Sequence, residues 1–440
     1  MDYKNKYVML QHSTICRKIG NRYFLFNPHF DYSKKKIPEI SYKAFMITQL
    51  IKTPILISEV FYQAKEFIEE VELYAFIEYL DNNDYAMVWE NSHKSSFISD
   101  IVKTEWANER TFYGCTFELT PYCNFDCVHC YLEDHHNNEE LLSTDAIKQI
   151  ITKLYDNGLM MIFFSGGDPF TRKDFKEIYV FTRRKGILVE IFTNGSLIDE
   201  EWLEIFKEYP PIEVDISLYG STEELYYQTT RRRNMYNLVI DNIKKMKELG
   251  INVSIKSPIF SLLKNDIGNM MELANQLEVP FRFSFAITPT IDNKSKERYQ
   301  IPAEEVAVLT KKFSDHFQTL KESLEEYERI PKSLTKRKYY CSTGRCSAFI
   351  DYKGNICPCI EMRDKGLNIE KYEFSYLWEK IKSFSFEKIK DDEDYKCSNC
   401  NLVTLCTSCP AIRERVNGSP LIINPEDCSL AEELYKIIKG

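Results

Sequence analysis

Three cysteines, Cys123, Cys127 and Cys130, stand at the spacing C-x3-C-x2-C. Thiolates are soft ligands, and runs of this kind hold iron–sulfur clusters. Three ligands on a four-iron cluster leave one iron without a protein ligand, and such an iron is open to substrate or cofactor chemistry. A zinc knuckle is the alternative on spacing alone, with His129 or His135 as fourth ligand. Nine of the 14 cysteines lie in the last hundred residues: Cys341, Cys346, Cys357 and Cys359, then Cys397-x2-Cys400-x5-Cys406-x2-Cys409, then Cys428. The two C-x2-C pairs stand closer together than in most zinc ribbons. Three further stretches follow the first cysteines in order: Ser165-Gly166-Gly167-Asp168-Pro169, Thr193-Asn194-Gly195 and Asp215-Ile216-Ser217-Leu218-Tyr219-Gly220. Glycines let a backbone approach a ligand closely, and Asp168 offers a carboxylate. Each stretch alone is also an ordinary turn.

These residues need elements to position them. From Phe112 the pattern alternates strand and helix. Strands are expected at 116–119, 160–165, 188–193, 212–218, 252–257 and 281–287, with helices between them ended by Gly158, Gly186 and Gly250. Six strands with helical crossovers make a parallel α/β sheet, curled toward a partial (β/α)6 TIM-like barrel, and sites on such a sheet form at the carboxyl ends of the strands. Residues 1–100 read as a separate unit. Short strands are expected at 7–11, 14–19 and 23–27, with a turn at Gly20-Asn21. Helices are expected at 40–51, 57–67 and 71–80, and a strand at 85–89. Charged residues 100–110 read as a linker, 111–300 as the barrel, 301–340 as a bridging helix and 341–440 as the cysteine-rich end.

Composition bounds the function. A net charge of -9 over 440 residues argues against a nucleic-acid partner. No apolar run reaches membrane-spanning length, and the amino terminus has no apolar signal core, so the chain reads as cytoplasmic, with no membrane partner. In a reducing compartment 14 cysteines point to metal rather than disulfides.

The ordered set from Cys123 to Ser217 resembles the radical S-adenosylmethionine superfamily, over roughly Phe112 to Thr290. The resemblance implies that Cys123, Cys127 and Cys130 hold a 4Fe-4S cluster whose open iron binds S-adenosylmethionine. It implies that Gly166, Gly167, Asp168 and Pro169 hold the methionine amino group, with Asp168 one methylene shorter than the family's Glu. Thr193 and Asn194 belong to the same rim, and Ser217 contacts the carboxylate or ribose. A basic residue after that strand pairs with the carboxylate: Arg231, or its neighbours Arg232 and Arg233. His129 takes the place of an aromatic residue. The C-terminal region resembles a SPASM domain, in which two auxiliary 4Fe-4S clusters would be held by Cys341, Cys346, Cys359 and Cys409, and by Cys397, Cys400, Cys406 and Cys428. Cys357 is an alternative ligand to Cys359. Residues 1–100 resemble a winged-helix-like RiPP recognition element, in which a leader peptide would add as a strand beside 23–27, with helix 71–80 as the other wall.

Together these resemblances imply an enzyme that modifies a ribosomally made precursor peptide. The expected steps are hydrogen abstraction by a 5'-deoxyadenosyl radical and closure of an intramolecular thioether, with a flavodoxin or ferredoxin as reductant. Carbon–carbon or ether cross-linking is the alternative, as is residue oxidation of the sulfatase-maturase kind.

Overall fold

In a computed structural model the described residues are 6–11, 14–19, 22–26, 37–52, 55–89, 112–132, 141–285, 287, 289–290, 299–314, 317–329, 341, 344–385, 395–423 and 425–440. The expected Gly20-Asn21 turn, the linker 100–110 and His135 lie outside them.

The alternation from residue 112 builds six parallel strands: β7 (Gly114–Glu118), β8 (Met161–Ser165), β9 (Leu188–Thr193), β10 (Glu213–Ser217), β11 (Val253–Pro258) and β12 (Phe281–Ser284). Helices α4 (Thr144–Asp156), α5 (Phe175–Arg184), α6 (Glu200–Glu208), α7 (Glu223–Thr230), α8 (Tyr236–Glu248) and α9 (Ile267–Gln276) lie between them, counting α1–α3 in the N-terminal unit. Helix α4 shows why the chain folds this way. Ser143 accepts the Ala146 N–H as its cap, an interaction of about 1 kcal/mol. Ile147, Ile150, Ile151 and Leu154 recur at helical spacing and are buried. Gly158 follows at φ 112°, where a side chain would be strained.

Alternate strand residues divide the sheet faces. Cys115, Phe117, Ile162, Phe164, Val189, Ile191, Val214 and Ile216 are buried in the core shared with the helices. Their neighbours face the concave side. That concave space is layered. At its foot Met161, Leu188 and Ile212 pack with Phe163 and with Phe26 of the N-terminal unit. Glu190, Asp215, Ser254 and Lys256 lie above, and Ser165 and Ser217 end their strands at the rim.

The sheet does not stop at six strands. It has nine, in the order β12-β11-β10-β9-β8-β7-β13-β14-β15. Strand β13 (Ser347–Ile350) runs parallel to β7, pairing Ser347 with Gly114 and Ile350 with Phe117. Strands β14 (Asn355–Cys357) and β15 (Leu367–Asn368) continue antiparallel. The cysteine-rich end therefore shares the barrel's sheet. It covers β7, whose buried apolar side chains would otherwise form an open edge.

The bridging segment is two helices rather than the expected one: α10 (Ala303–Phe313) and α11 (Phe317–Arg329), broken at Ser314, which is extended at φ -91°, ψ 121°. Ala307 and Leu324 pack with Leu405 and with Ala431 and Leu434 of the last helix, α14 (Pro425–Lys439).

The N-terminal unit has helices α1 (Tyr42–Leu50), α2 (Ile57–Ala64) and α3 (Glu70–Asn82) and two three-stranded sheets. One orders β5 (Ile55–Leu56), β1 (Tyr7–Leu10) and β6 (Ala86–Trp89). The other orders β2 (Ile15–Ile19), β3 (Arg22–Phe26) and β4 (Glu39–Ile40). Here the sequence expectation needs correction. Strand β3 is a middle strand, paired with β2 on one side and with β4 on the other, and Leu25 N–H donates to Pro38 O at 3.0 Å. No edge remains beside it for an added strand. Among the described residues no helix is long and apolar enough to cross a membrane.

Candidate active site

The cysteine loop leaves β7 at its carboxyl end and is strapped to two neighbours. Gly167 N–H donates to Thr120 O at 2.7 Å, and Asp168 N–H to Tyr122 O at 2.8 Å. Both glycines are required by this contact. A Cβ on Gly166 would lie 2.2 Å from Thr120 O, and one on Gly167 2.2 Å from Tyr122 O. On the other side Asp126 and Val128 donate their N–H groups to Thr230 and Thr229 carbonyls, each at 2.9 Å. Cys123, Cys127 and Cys130 are thus held between the Gly-Gly-Asp-Pro loop and the end of α7.

Asp168 is buried, and its carboxylate is taken up by the protein itself. Oδ1 accepts the Phe170 N–H at 3.0 Å, and Oδ2 accepts the Thr193 hydroxyl and the Asn194 N–H, both at 2.8 Å. Burial pushes its carboxyl up to about 6 against the lowering effect of those three donors. Asn194 reaches back to the cysteine loop. Its Nδ2 donates to Asn124 Oδ1 at 2.8 Å and lies 3.7 Å from Cys123 Sγ, while Asn124 Nδ2 donates to Ser196 Oγ at 2.8 Å. Asn124 and Ser196 were not singled out from sequence. His129 packs as an aromatic ring, 5.4 Å from Tyr219 and 5.0 Å from Phe260. Ser217 is half-buried at the same rim.

The three arginines separate. Arg231 caps α7 in a left-handed conformation, φ 60°, and is exposed. Arg233 lies over the Tyr227 ring, 3.9 Å from its centre. Arg232 is the one aimed at the cysteine loop, with Nη2 2.9 Å from Asp126 Oδ2.

A charged cluster inside the barrel had no motif. Glu190, Glu213 and Asp215 bring their oxygens within 4.8 Å of one another. Cations fill the space between them: Lys256 bonds Asp215, and Arg282 lies 2.7 Å from Asp215 and 2.9 Å from Glu213. Burial, reinforced by the Asp215 carboxylate, raises Glu190 above the ordinary carboxylate range, and the hydrogen bond lowers its partner. The cluster's cations stand where a metal would.

The C-terminal cysteines fall into two groups by which thiols act on which. Cys341 and Cys409 bear on Cys359, and Cys397, Cys400 and Cys406 bear on Cys428. Cys346 is buried, with Tyr113 and Arg345 acting on it, and Cys357 turns to the Cys359 carbonyl at 3.2 Å. Among the described residues no three of these thiols come within 4.8 Å. A tetrahedral zinc with bonds of about 2.3 Å would draw its sulfurs to about 3.8 Å. Besides the β7–β13 pairing, a side-chain pair ties the two cysteine regions. Arg363, four residues beyond Cys359, donates to Glu118 Oε2 at 2.9 Å, and Glu118 is fully buried at the end of β7.

Comparison with known proteins agrees with this geometry. The family model for the radical SAM superfamily matches residues 117–277. The chain is 28% identical over 246 residues to the antilisterial bacteriocin subtilosin biosynthesis protein AlbA of Bacillus subtilis, a match covering 56% of this chain and 54% of that protein. It is 24% identical over 330 residues to an AdoMet-dependent heme synthase of Methanosarcina barkeri, covering 70% of this chain and 94% of that one. In fold it resembles the crystal structure of Streptococcus suis SuiB bound to precursor peptide SuiA, with TM-score 0.59 and 16% identity, over 96% of this chain and 99% of that one. A radical SAM domain implies a 4Fe-4S cluster and S-adenosylmethionine, and the thiol loop with its glycine cradle fits both. The chain carries a radical SAM domain over residues 117–277.

Proposed function

We propose that this enzyme matures a ribosomally made precursor peptide by closing an intramolecular thioether. The observation that supports the reading is the Glu118–Arg363 pair, which ties the segment following Cys359 to the strand that leads into the cysteine loop. An enzyme needing only radical initiation has no use for a second cysteine group. One that must remove an electron as a new bond closes does. Likeness to a bacteriocin biosynthesis protein and to a peptide-binding fold supports the same reading.

Cys123, Cys127 and Cys130 would hold the cofactor cluster, Cys341, Cys346, Cys359 and Cys409 the first auxiliary cluster, and Cys397, Cys400, Cys406 and Cys428 the second. Bound S-adenosylmethionine supplies a 5'-deoxyadenosyl radical as hydrogen acceptor. The Gly166–Gly167 backbone receives its methionine end. Asp168 acts as a positioning residue that fixes Thr193 and Asn194 rather than as a direct ligand. Ser217 would contact the cofactor from the end of β10, and Arg232, in place of Arg231, would offset charge at the rim. The N-terminal unit would bind the leader, at the outer edge of β4 instead of beside β3. A flavodoxin or ferredoxin would supply the electron.

The test is mass spectrometry of precursor incubated anaerobically with enzyme, reductant and S-adenosylmethionine. A thioether gives loss of two hydrogens and a cysteine that no longer alkylates. Loss of two hydrogens with every cysteine alkylatable moves the assignment to a carbon–carbon or ether link. The Cys123, Cys127, Cys130 triple Ala variant should make no 5'-deoxyadenosine while keeping its C-terminal iron.

A further inference from the structure

On the reading that Cys123, Cys127 and Cys130 hold the cofactor cluster, we propose that Asn194 raises the reduction potential of that cluster by hydrogen-bonding the Cys123 sulfur. Asn194 is a positioning residue here: it acts through the Cys123 thiolate rather than on the reacting atoms.

The side-chain amide of Asn194 is oriented by its neighbours. Such an amide has two N–H donors and one oxygen with two lone pairs. Asn194 Oδ1 accepts the Ser196 N–H at 2.9 Å and the Ser196 hydroxyl at 2.6 Å. Nδ2 donates to Asn124 Oδ1 at 2.8 Å and to Cys123 Sγ at 3.7 Å. Turning the amide over would set Nδ2 against the Ser196 N–H, donor against donor. A backbone group therefore decides which end of the amide meets the sulfur. Asn194 is buried, and a hydrogen bond is electrostatically stronger away from water.

A residue that only clamped the cysteine loop would need the Asn124 contact alone. The sulfur contact has an electrostatic consequence. A reduced iron–sulfur cluster carries one more negative charge than the oxidised one, and its thiolates share that charge. Hydrogen bonds to the sulfurs favour the reduced form and raise the potential. At Cys123 burial, and then the Asp168 carboxylate, disfavour negative charge on the sulfur, whereas the Phe125 N–H, at 3.4 Å, and the Asn194 amide favour it. The Phe125 donor is backbone and survives a change of side chain. The Asn194 donor does not.

The experiment is a reductive titration of the full-length, anaerobically reconstituted protein, followed by electron paramagnetic resonance. The cofactor cluster is identified by the change in its signal when S-adenosylmethionine is added. Asn194→Ala should lower its midpoint potential by about 59 mV, a tenfold drop in the equilibrium constant of a one-electron reduction. Asn194→Asp keeps the size of the side chain, loses both N–H donors and should lower the midpoint as well, so it keeps the test decisive if Asn194→Ala does not fold. Ser196→Ala loosens the same network but leaves the Ser196 N–H on Asn194 Oδ1, and should titrate as the parent does. A midpoint at or above the parent's in either Asn194 variant, or a drop in Ser196→Ala equal to that in Asn194→Ala, overturns the assignment. Parent protein with no signal that responds to S-adenosylmethionine overturns the reading of the three cysteines, and the assignment with it.

Discussion

Thr193 donates its hydroxyl to Asp168 at 2.8 Å, and the next residue's N–H reaches the same oxygen. The loop after β8 and the end of β9 are thereby one piece, and the cofactor rim is only as rigid as that carboxylate. Asp168→Ala leaves three buried donors without an acceptor, at a cost of about 2–4 kcal/mol. Urea unfolding under anaerobic conditions should show this loss together with weakened S-adenosylmethionine binding. Unchanged stability would refute the account.

Gly167→Ala places a methyl group against the Tyr122 carbonyl, which cannot withdraw without moving the cysteine loop. The variant should lose the iron of the Cys123, Cys127, Cys130 cluster while retaining C-terminal iron. Iron analysis and the resting absorption spectrum read this directly.

Glu118 and Arg363 are 245 residues apart and buried together. Arg363→Met strands a buried carboxylate and should cost about 3–5 kcal/mol. Adding Glu118→Gln should return part of that loss, as measured by a double-mutant cycle. A double variant less stable than Arg363→Met would contradict the pairing.

Glu190 holds its proton above the ordinary carboxylate range because it is buried against Asp215. The folded chain therefore binds more protons than the unfolded chain between the ordinary carboxylate value and the raised one. Stability attributable to Glu190 is full at the acid end of that window and falls as pH rises through it. Glu190→Gln should lack this dependence, so the parent's advantage over the variant should shrink from about pH 5 to pH 8. Parallel unfolding curves at each pH decide it.

Much of the barrel was legible because its strands and helices obey clean periods. Helix α4 begins at its capping serine and ends before its glycine. The rim residues were legible because Cys, Gly and Asn-Gly mark local geometry. The contacts of Asp168 were not, since two of the three donors to its carboxylate come from the next strand, 25 and 26 residues away. The interior cluster did leave a signal. Glu190, Glu213, Asp215, Lys256 and Arg282 are charges at alternate positions of otherwise apolar strands, a period of two that marks a polar inner face. The three added strands, β13 to β15, and the Arg363 contact depend on long-range closure, which composition and period do not encode. The middle position of β3 escaped because β4 is only two residues long.

Phe26 closes the foot of the barrel, packed with Met161, Leu188 and Ile212. A peptide held by the N-terminal unit cannot thread through the lumen to the cysteine loop; it must travel outside and enter over the rim. Strand β9 is six residues long, so foot and rim stand roughly 20 Å apart at about 3.3 Å per residue. An extended chain covers at most about 3.6 Å per residue, so at least about six residues must separate the anchored segment from the first one that reacts. Under the proposed function, precursors with shorter spacers would dock and remain unmodified.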